Sequence, residues 1–290
     1  MKKSRLAKIL TLSLAAVMVF SLASCGGSSS DTGDKDITVI SREEGSGTRA
    51  AFTEILKIKE AGHDSTSAEA EVTSSTYVVI TTVAGDKNAI GYVSAGVLAS
   101  SQAKGVKAVS IDGVYPDAGN VKAGHYALTR DFFIADCGNP DACTRDFVKY
   151  IAGREGADII ESEGYVAGIE RSHEYIKSVN LEGTITVAGS TSVAPLMESL
   201  SENYKKIQPG VTVDIQQTGS GAGIISLTEG ACQLATSSRV LTSQEKAAGV
   251  REQIIARDGI AVIVNDENPI ENLTSEQVKE IFTGERKYWT

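Results

Sequence analysis

The sequence predicts an α/β protein with largely parallel sheets. Short runs rich in β-branched residues, each bounded by Gly, Asn, Asp or Pro, predict strands near residues 37–40, 89–93, 126–134, 184–188, 211–215 and 259–264. Helical patterns separate these runs. Leu196, Leu200 and Tyr204 recur every four residues behind Pro195, a residue tolerated in a first helical turn. Strands that alternate with helices favour this fold class.

The other predicted helices are shorter. Phe52, Ile55 and Leu56 form an apolar stripe, and a weaker one surrounds Ile224. Residues 274–277 read Thr-Ser-Glu-Gln, which is a capping box and predicts the start of a helix.

Length and charge restrict the function. The 290 residues are enough for one large domain or two lobes. The formal net charge is −9, whereas proteins bind nucleic acid through clustered Lys and Arg. We therefore expect no nucleic-acid partner.

The N-terminus is typical of an exported lipoprotein. A basic segment, residues 1–8, precedes the apolar residues 9–22, which are too few to span a bilayer and are typical of a secretory signal peptide. The stretch ends Leu-Ala-Ser-Cys25, which resembles a bacterial lipobox. We expect residues 1–25 to be the signal segment, Cys25 to carry the lipid such as palmitate, and residues 26–36 to be a flexible tether. A transmembrane anchor, or a plain signal sequence with a chance Cys, is the alternative.

Cysteine and histidine give no sign of a metal site. Three further cysteines follow Cys25, without a CxxC pair, and the three histidines fit no HExxH pattern. We expect no metal and no cofactor. Cys137 and Cys143 are close enough in sequence to form a disulfide outside the cell, or they are buried apolar side chains.

Gly, Ser and Thr concentrate where predicted strands meet predicted helices. Three such junctions are residues 41–49 (SREEGSGTR), 189–195 (GSTSVAP) and 218–223 (TGSGAG), and residues 236–239 (TSSR) form a fourth candidate. Free N–H groups at a helix N-terminus favour an anion, glycine permits close approach, and hydroxyls can donate to its oxygens. One such loop alone is more often an ordinary helix cap. Four of them, two with a neighbouring Arg, predict a shared anion site.

Familiar enzyme signatures are missing from the sequence. No junction matches GxxxxGK[ST] or a dinucleotide GxGxxG, and GxSxG is absent. Nucleotide binding and acyl transfer are therefore disfavoured.

Several motifs together resemble one known family. The junctions named above, the run 258–264 (DGIAVIV) and the run 272–284 (NLTSEQVKEIFTG) are similar to the phosphate-binding proteins of bacterial high-affinity phosphate ABC transporters. The resemblance implies a two-lobed periplasmic-binding-protein fold of type II, a Venus flytrap that closes on phosphate. It also implies a binding protein and not an enzyme.

The resemblance assigns roles to individual residues. Expected phosphate ligands are Thr191, Ser190, Ser192, Ser220, Ser238, Arg42, Ser46, Gly47 and Thr48. Glu44 is expected to orient Arg42 or to accept the phosphate proton. Ser238 departs from the family, because some members have an Asp there that accepts this proton. Without that carboxylate, discrimination against fully deprotonated anions needs another acceptor.

The order of the segments also departs from the family. There the loop matching residues 189–195 comes first, and the segment matching 41–49 follows the helix that ends near Gly284, so this chain resembles a circular permutant. A truncated or tandem gene product is the alternative. Permutation predicts one lobe, lobe I, from residues 97–264 and another, lobe II, from residues 36–96 plus 265–290, with crossovers near Gly96 and Asn265.

The resemblance therefore predicts a monomeric receptor at the outer face of the cytoplasmic membrane. It would bind inorganic phosphate and deliver it to the permease and ATPase subunits of an ABC importer, with the N-terminal lipid as its membrane contact. A receptor for sulfate or molybdate is the first alternative, and a phosphate-ester hydrolase is a more distant one.

Overall fold

A computed structural model describes residues 35–100, 103–168, 173–177 and 179–289. The predicted signal segment, the lipidation site Cys25 and most of the tether lie outside the described residues. The predicted tether ends too late, because residues 35 and 36 already pair with Tyr288 and Trp289. In the described part of the chain no helix is long and apolar enough to cross a bilayer.

Helices and strands alternate along the chain, as the patterns predict. In the described residues the helices are α1 Gly47–Ile55, α2 Thr76–Gly85, α3 Ala95–Ala99, α4 Ala118–Lys122, α5 Ala142–Ala152, α6 Arg154–Ser162, α7 Ala194–Ile207, α8 Ser220–Thr228, α9 Ser243–Ala247 and α10 Ser275–Thr283. The strands are β1 Lys35–Asp36, β2 Thr38–Arg42, β3 Lys59–Glu60, β4 His63–Asp64, β5 Glu71–Thr73, β6 Ala89–Ser94, β7 Val106–Ala108, β8 Ser110–Ile111, β9 Thr129–Asp136, β10 Val166–Ala167, β11 Gly183–Gly189, β12 Val211–Gln216, β13 Leu234–Ser237, β14 Arg251–Asn265, β15 Asn272–Leu273 and β16 Tyr288–Trp289.

Local chemistry accounts for several helix ends. Pro195 lies in the first turn of α7, where its missing N–H costs no hydrogen bond. The predicted capping box starts α10, with Thr274 accepting from the backbone of Gln277 and the Gln277 side chain accepting from Thr274. Gly284 then ends α10 in the left-handed conformation, which glycine adopts without strain.

One continuous sheet runs through the molecule in the order β12-β11-β13-β9-β14-β6-β2-β5. Its two ends are parallel: β11 pairs with β12 and β13, and β2 pairs with β5 and β6. The middle is antiparallel, because β9 pairs in that sense with β13 and β14, and β14 does so with β6. The predicted parallel sheets are therefore two parallel halves joined by two antiparallel strands.

The two largest hydrophobic cores of the described residues lie beside the antiparallel strands. One core contains Phe132, Phe147, Leu200 and Ile255, and the other contains Phe52, Tyr92, Tyr126, Ile260 and Phe282. From here on, lobe I denotes residues 129–259 and lobe II denotes residues 35–128 with 260–289.

These boundaries correct the predicted ones near Gly96 and Asn265. Residues between 97 and 128, such as Val109 and Tyr126, pack against Phe52 and Phe282 and not into lobe I. Strand β14 changes partner in mid-strand, since it pairs with β9 up to Gly259 and with β6 from Ile260. The apolar run 259–264 predicts only the part of β14 that lies beside β6, so the pattern gives no sign that the strand also continues beside β9.

Candidate anion-binding site

Four helices begin at one edge of the sheet. The helices α1, α2, α7 and α8 follow β2, β5, β11 and β12, so each starts beyond the carboxyl end of a parallel strand. The first turn of each helix has N–H groups without intrahelical partners, and its dipole favours negative charge. Two of the helices belong to lobe I and two to lobe II, which places the site between the lobes.

Hydroxyl groups from both lobes meet at these N-termini. Thr48 Oγ1 lies 2.9 Å from Ser192 Oγ, while Thr76 Oγ1 lies 3.0 Å from Thr191 Oγ1 and 3.1 Å from Ser192 Oγ. Ser192 is fully buried. Each hydroxyl can rotate to donate or accept, so the group can adapt to an oxyanion.

Ser190, Ser220 and Ser238 form the lobe I side of this group. Ser190 Oγ donates to Ser238 Oγ over 3.0 Å, and the Ser238 backbone N–H donates to Ser220 Oγ over 3.2 Å. All three residues are buried. The structure thus brings together the hydroxyls of three separate predicted junctions.

Arg42 provides a buried positive charge at the end of β2. Its guanidinium donates through Nη1 to Thr76 Oγ1 over 3.3 Å and through Nη2 to Thr191 Oγ1 over 3.2 Å. Tyr92 supports the same position from β6, because its hydroxyl accepts from the Arg42 backbone N–H. The cation is therefore directed at the cluster of Ser and Thr hydroxyls between the lobes.

The acidic partner of Arg42 is Glu43 and not the predicted Glu44. Glu43 accepts from Arg42 Nε over 2.8 Å and from Nη2 over 2.9 Å, a two-pronged ion pair. Glu44 lies in the exposed turn that follows. Consecutive residues leave the end of β2 in different directions, so the position matched by sequence faces solvent.

Gly47 allows the lobes to approach at the first turn of α1. A Cβ atom there would lie 2.5 Å from both Ser220 Oγ and Ser238 Oγ, closer than such atoms pack. Ser46 precedes it as the N-cap of α1, and its hydroxyl accepts from the Arg49 backbone N–H. Gly47 thus provides close approach, and Ser46 fixes the helix start.

Arg239, the last residue of the fourth junction, pairs with a glutamate and not with the cluster of hydroxyls. Its guanidinium makes a two-pronged pair with Glu245 at 2.7 and 2.8 Å. The hydrogen bonds from Arg239 lower the pKa of Glu245 to about 2. Of the two arginines beside the predicted junctions, Arg42 therefore contacts the cluster of hydroxyls and Arg239 does not.

Thr76 is a site residue that the sequence reasoning missed. It follows β5, a strand of only three residues, in the run Ser74-Ser-Thr76. That run has hydroxyls before a helix, as the other junctions do, but lacks a glycine. A search for hydroxyl-rich helix starts without requiring glycine would find it.

The described residues contain no cluster of three or more His, Cys, Asp or Glu side chains that could hold a metal ion. The three described cysteines are free thiols. Cys137 is exposed and Cys143 is partly exposed, so both predicted alternatives for this pair, a disulfide and buried apolar side chains, are wrong. Cys137 lies against the Leu227 carbonyl and Cys143 against the Glu182 carbonyl.

Comparison with known proteins identifies the family. The model of the PBP superfamily domain matches residues 6–155 and 178–290. The phosphate-binding protein PstS 2 of Streptococcus agalactiae is 39% identical over 100% of this chain and 99% of its own length. The chain belongs to the PstS phosphate-binding protein family.

Other members of the PstS family give the same result. PstS 2 of Streptococcus pneumoniae is 39% identical over 97% of both chains. The crystal structure of a phosphate-binding protein of a phosphate ABC transporter from Streptococcus pneumoniae superimposes with a TM-score of 0.67, covering 88% of this chain and 98% of that one. This likeness confirms the predicted family and its two-lobed type II fold.

Proposed function

We propose that this protein is an extracytoplasmic receptor that binds inorganic phosphate between its lobes and delivers it to an ABC importer. The observation that carries the proposal is the group of buried hydroxyls from both lobes around Arg42. The relatives that align over nearly their whole length are named phosphate-binding proteins, which supports phosphate as the ligand. A ligand that contacts both lobes favours the closed state, which the permease can recognise.

The proposed phosphate ligands are the hydroxyls of Ser190, Thr191, Ser192, Ser220, Ser238 and Thr48, together with Arg42, Gly47 and the α1 N-terminus capped by Ser46. We include Thr76 because its hydroxyl lies 3.0 Å from that of Thr191. Glu43 takes over the orienting role predicted for Glu44. These groups bind and orient an anion, and they include no residue pair arranged for nucleophilic attack. The family is one of transport receptors and not an enzyme class.

Calorimetry tests the ligand. The purified full chain is titrated with phosphate, sulfate and molybdate, and we expect phosphate to bind most tightly. Arg42→Ala should weaken phosphate binding strongly, whereas His125→Ala, an exposed change, should not. Binding of sulfate or molybdate without phosphate would favour the alternative receptor, and equal effects of the two variants would place the site elsewhere.

We propose further that the chain is anchored by lipid at Cys25, as the lipobox-like sequence indicates. Labelled palmitate should enter the wild-type protein and not Cys25→Ser. Label in both proteins, or release of the wild-type protein by high salt alone, would contradict the anchor.

The segment order is proposed to be a circular permutation. The pairing of Lys35 with Trp289 supports it, because that pairing brings the two ends of the described chain together. Such adjacent ends can be joined by a short loop. A chain in which residues 289 and 35 are joined and a break is made at 178 should still fold and bind phosphate. Failure of this chain to fold would contradict the permutation.

A further inference from the structure

A second buried arginine lies on the strands that join the lobes. Arg130 of β9 faces Asp258 of β14 in the antiparallel ladder. Its Nη2 and Nε groups donate to Asp258 Oδ2 over 3.1 and 3.3 Å, and both side chains are almost fully buried. A buried ion pair is costly to form, so such a pair at the junction of the lobes needs an explanation.

Asp258 connects Arg130 to lobe II. Its other oxygen, Oδ1, accepts from Ser94 Oγ over 3.0 Å and from the Gly96 backbone N–H over 3.4 Å. Both carboxylate oxygens are therefore in use. The carboxylate holds the arginine in place and leaves part of the guanidinium uncommitted.

The uncommitted part is Nη1. In the part of the chain that the structure describes, Arg130 Nη1 is buried and has no hydrogen-bond partner. A buried donor without an acceptor costs about 1–3 kcal/mol, and more when it is charged. Buried donors of this kind usually face a water or a ligand.

The strand register places Arg130 towards the cluster of Ser and Thr hydroxyls. Ser237 pairs with Phe133, so Ser238 follows beside this part of β9, and the Arg130 guanidinium lies 5.0 Å from the ring centre of Phe132. Ser94 ends β6, the neighbour of β2, whose last residue is Arg42. Arg130 thus lies near the sheet edge where the four helices begin.

The two buried arginines are near enough for their charges to interact. Burial lowers the pKa of Arg130, Asp258 opposes that effect, and the charge of Arg42 lowers the pKa further. Like charges in a buried setting repel, and an anion near both would relieve the repulsion.

We propose that Arg130 is a second cationic residue of the anion site, held by Asp258 so that its Nη1 group donates to the bound oxyanion. This inference rests on the proposed phosphate-binding function. The ion pair with Asp258 fixes the position of the guanidinium, and Nη1 then offers both a hydrogen-bond donor and a positive charge. Arg42 would contact the anion from the end of β2, and Arg130 from the strands that join the lobes.

The test compares two ion pairs on the same two strands. Arg130→Gln with Asp258→Asn removes both charges and retains amide groups that can hydrogen-bond. The control is Arg257→Gln with Asp131→Asn, because that pair joins neighbouring positions of β14 and β9 but is solvent-exposed. Phosphate affinity is measured by calorimetry, and thermal unfolding is measured without phosphate.

We expect the buried double variant to bind phosphate about 10- to 100-fold more weakly, the range for loss of a charge-assisted hydrogen bond. The control should stay within about twofold of the wild type. Arg130→Lys, which keeps the positive charge beside Asp258, should retain more affinity than the double variant. Wild-type affinity in a folded double variant would overturn the proposal and leave an ordered water as the partner of Nη1.

Two further results separate the possible failures. If the wild-type protein binds no phosphate, the proposed function fails before Arg130 is tested. If the double variant does not fold, Arg130→Lys decides alone: unchanged affinity in that variant overturns a directed Nη1 contact, because the lysine ammonium cannot reproduce the guanidinium geometry.

Discussion

A methyl group at Gly47 tests whether the lobes must come together to bind the anion. The added Cβ of Gly47→Ala would lie 2.5 Å from the hydroxyl oxygens of Ser220 and Ser238 and 3.0 Å from the carbonyl carbon of Ser238. Ordinary contacts begin near 3.4 Å, so the lobes must separate by about 1 Å or the two hydroxyls must turn away. Either response removes ligand contacts.

The expected magnitude follows from overpacking. Forcing a methylene-sized group into a packed site costs about 1–3 kcal/mol. If this cost applies only to the closed, liganded state, phosphate binds about 5- to 150-fold more weakly. Alanine is also the better helix former, so the unliganded protein should be no less stable than the wild type.

Gly221→Ala is the matched control. Gly221 also lies at a helix start between the lobes, but a Cβ there meets its nearest atoms, in Gly45, at 3.4 Å, which is an ordinary contact. Calorimetry with phosphate and thermal unfolding without it are measured for both variants. Wild-type affinity in Gly47→Ala would refute the reasoning, since it would mean that the liganded lobes do not approach as the structure shows.

Three further changes test the site, a helix cap and a buried network. Thr76→Val removes a buried hydroxyl of the site and should weaken phosphate binding about tenfold, whereas Thr81→Val, an exposed change on the same helix, should not. Glu245 has its pKa lowered to about 2, so its stabilising effect is complete above about pH 4.5 and is lost as the pH falls towards about 2. The unfolding free energy of the wild type should therefore exceed that of Glu245→Gln by about 1–2 kcal/mol near neutral pH, and this difference should shrink in acid. Tyr175→Phe removes a hydrogen bond to buried Asp146 and should lower the unfolding free energy in urea by about 1–2 kcal/mol without changing phosphate affinity.

The sequence predicts those parts of the site that local chemistry determines. A helix start needs acceptors or an anion for its free N–H groups, so Gly, Ser and Thr near residues 47, 191 and 220 identify it without tertiary information. The sequence does not show which side chain at such a helix start points into the site. Glu43 and Glu44 are chemically identical neighbours, and only the path of the chain after β2 decides which of them pairs with Arg42.

The lobe boundaries depend on pairing between distant segments. The run 259–264 is apolar throughout and predicts a buried strand, but β14 begins at Arg251 and serves both cores. The part of β14 before Gly259 contains charged residues such as Arg251 and Arg257, so no apolar run indicates that the same strand continues into lobe I. The ion pair of Arg130 cannot be predicted from the sequence for a related reason. Its partner Asp258 is distant in sequence, and only the register of β9 and β14 brings the two residues together.

An acidic protein can bind an anion because the site is electrically separate from the surface. The net charge of −9 acts mainly through solvent, where it is screened within about 10 Å at moderate salt. Inside the site, Arg42 and the hydroxyls of Thr191 and Ser192 are almost fully buried, so they act at short range with little screening. Glu43 and Asp258 balance the two buried arginines, and helix N-termini and hydroxyls then supply the excess attraction for a small dehydrated anion. The same arrangement does not suit a polymeric anion, which binds through clustered Lys and Arg on a surface.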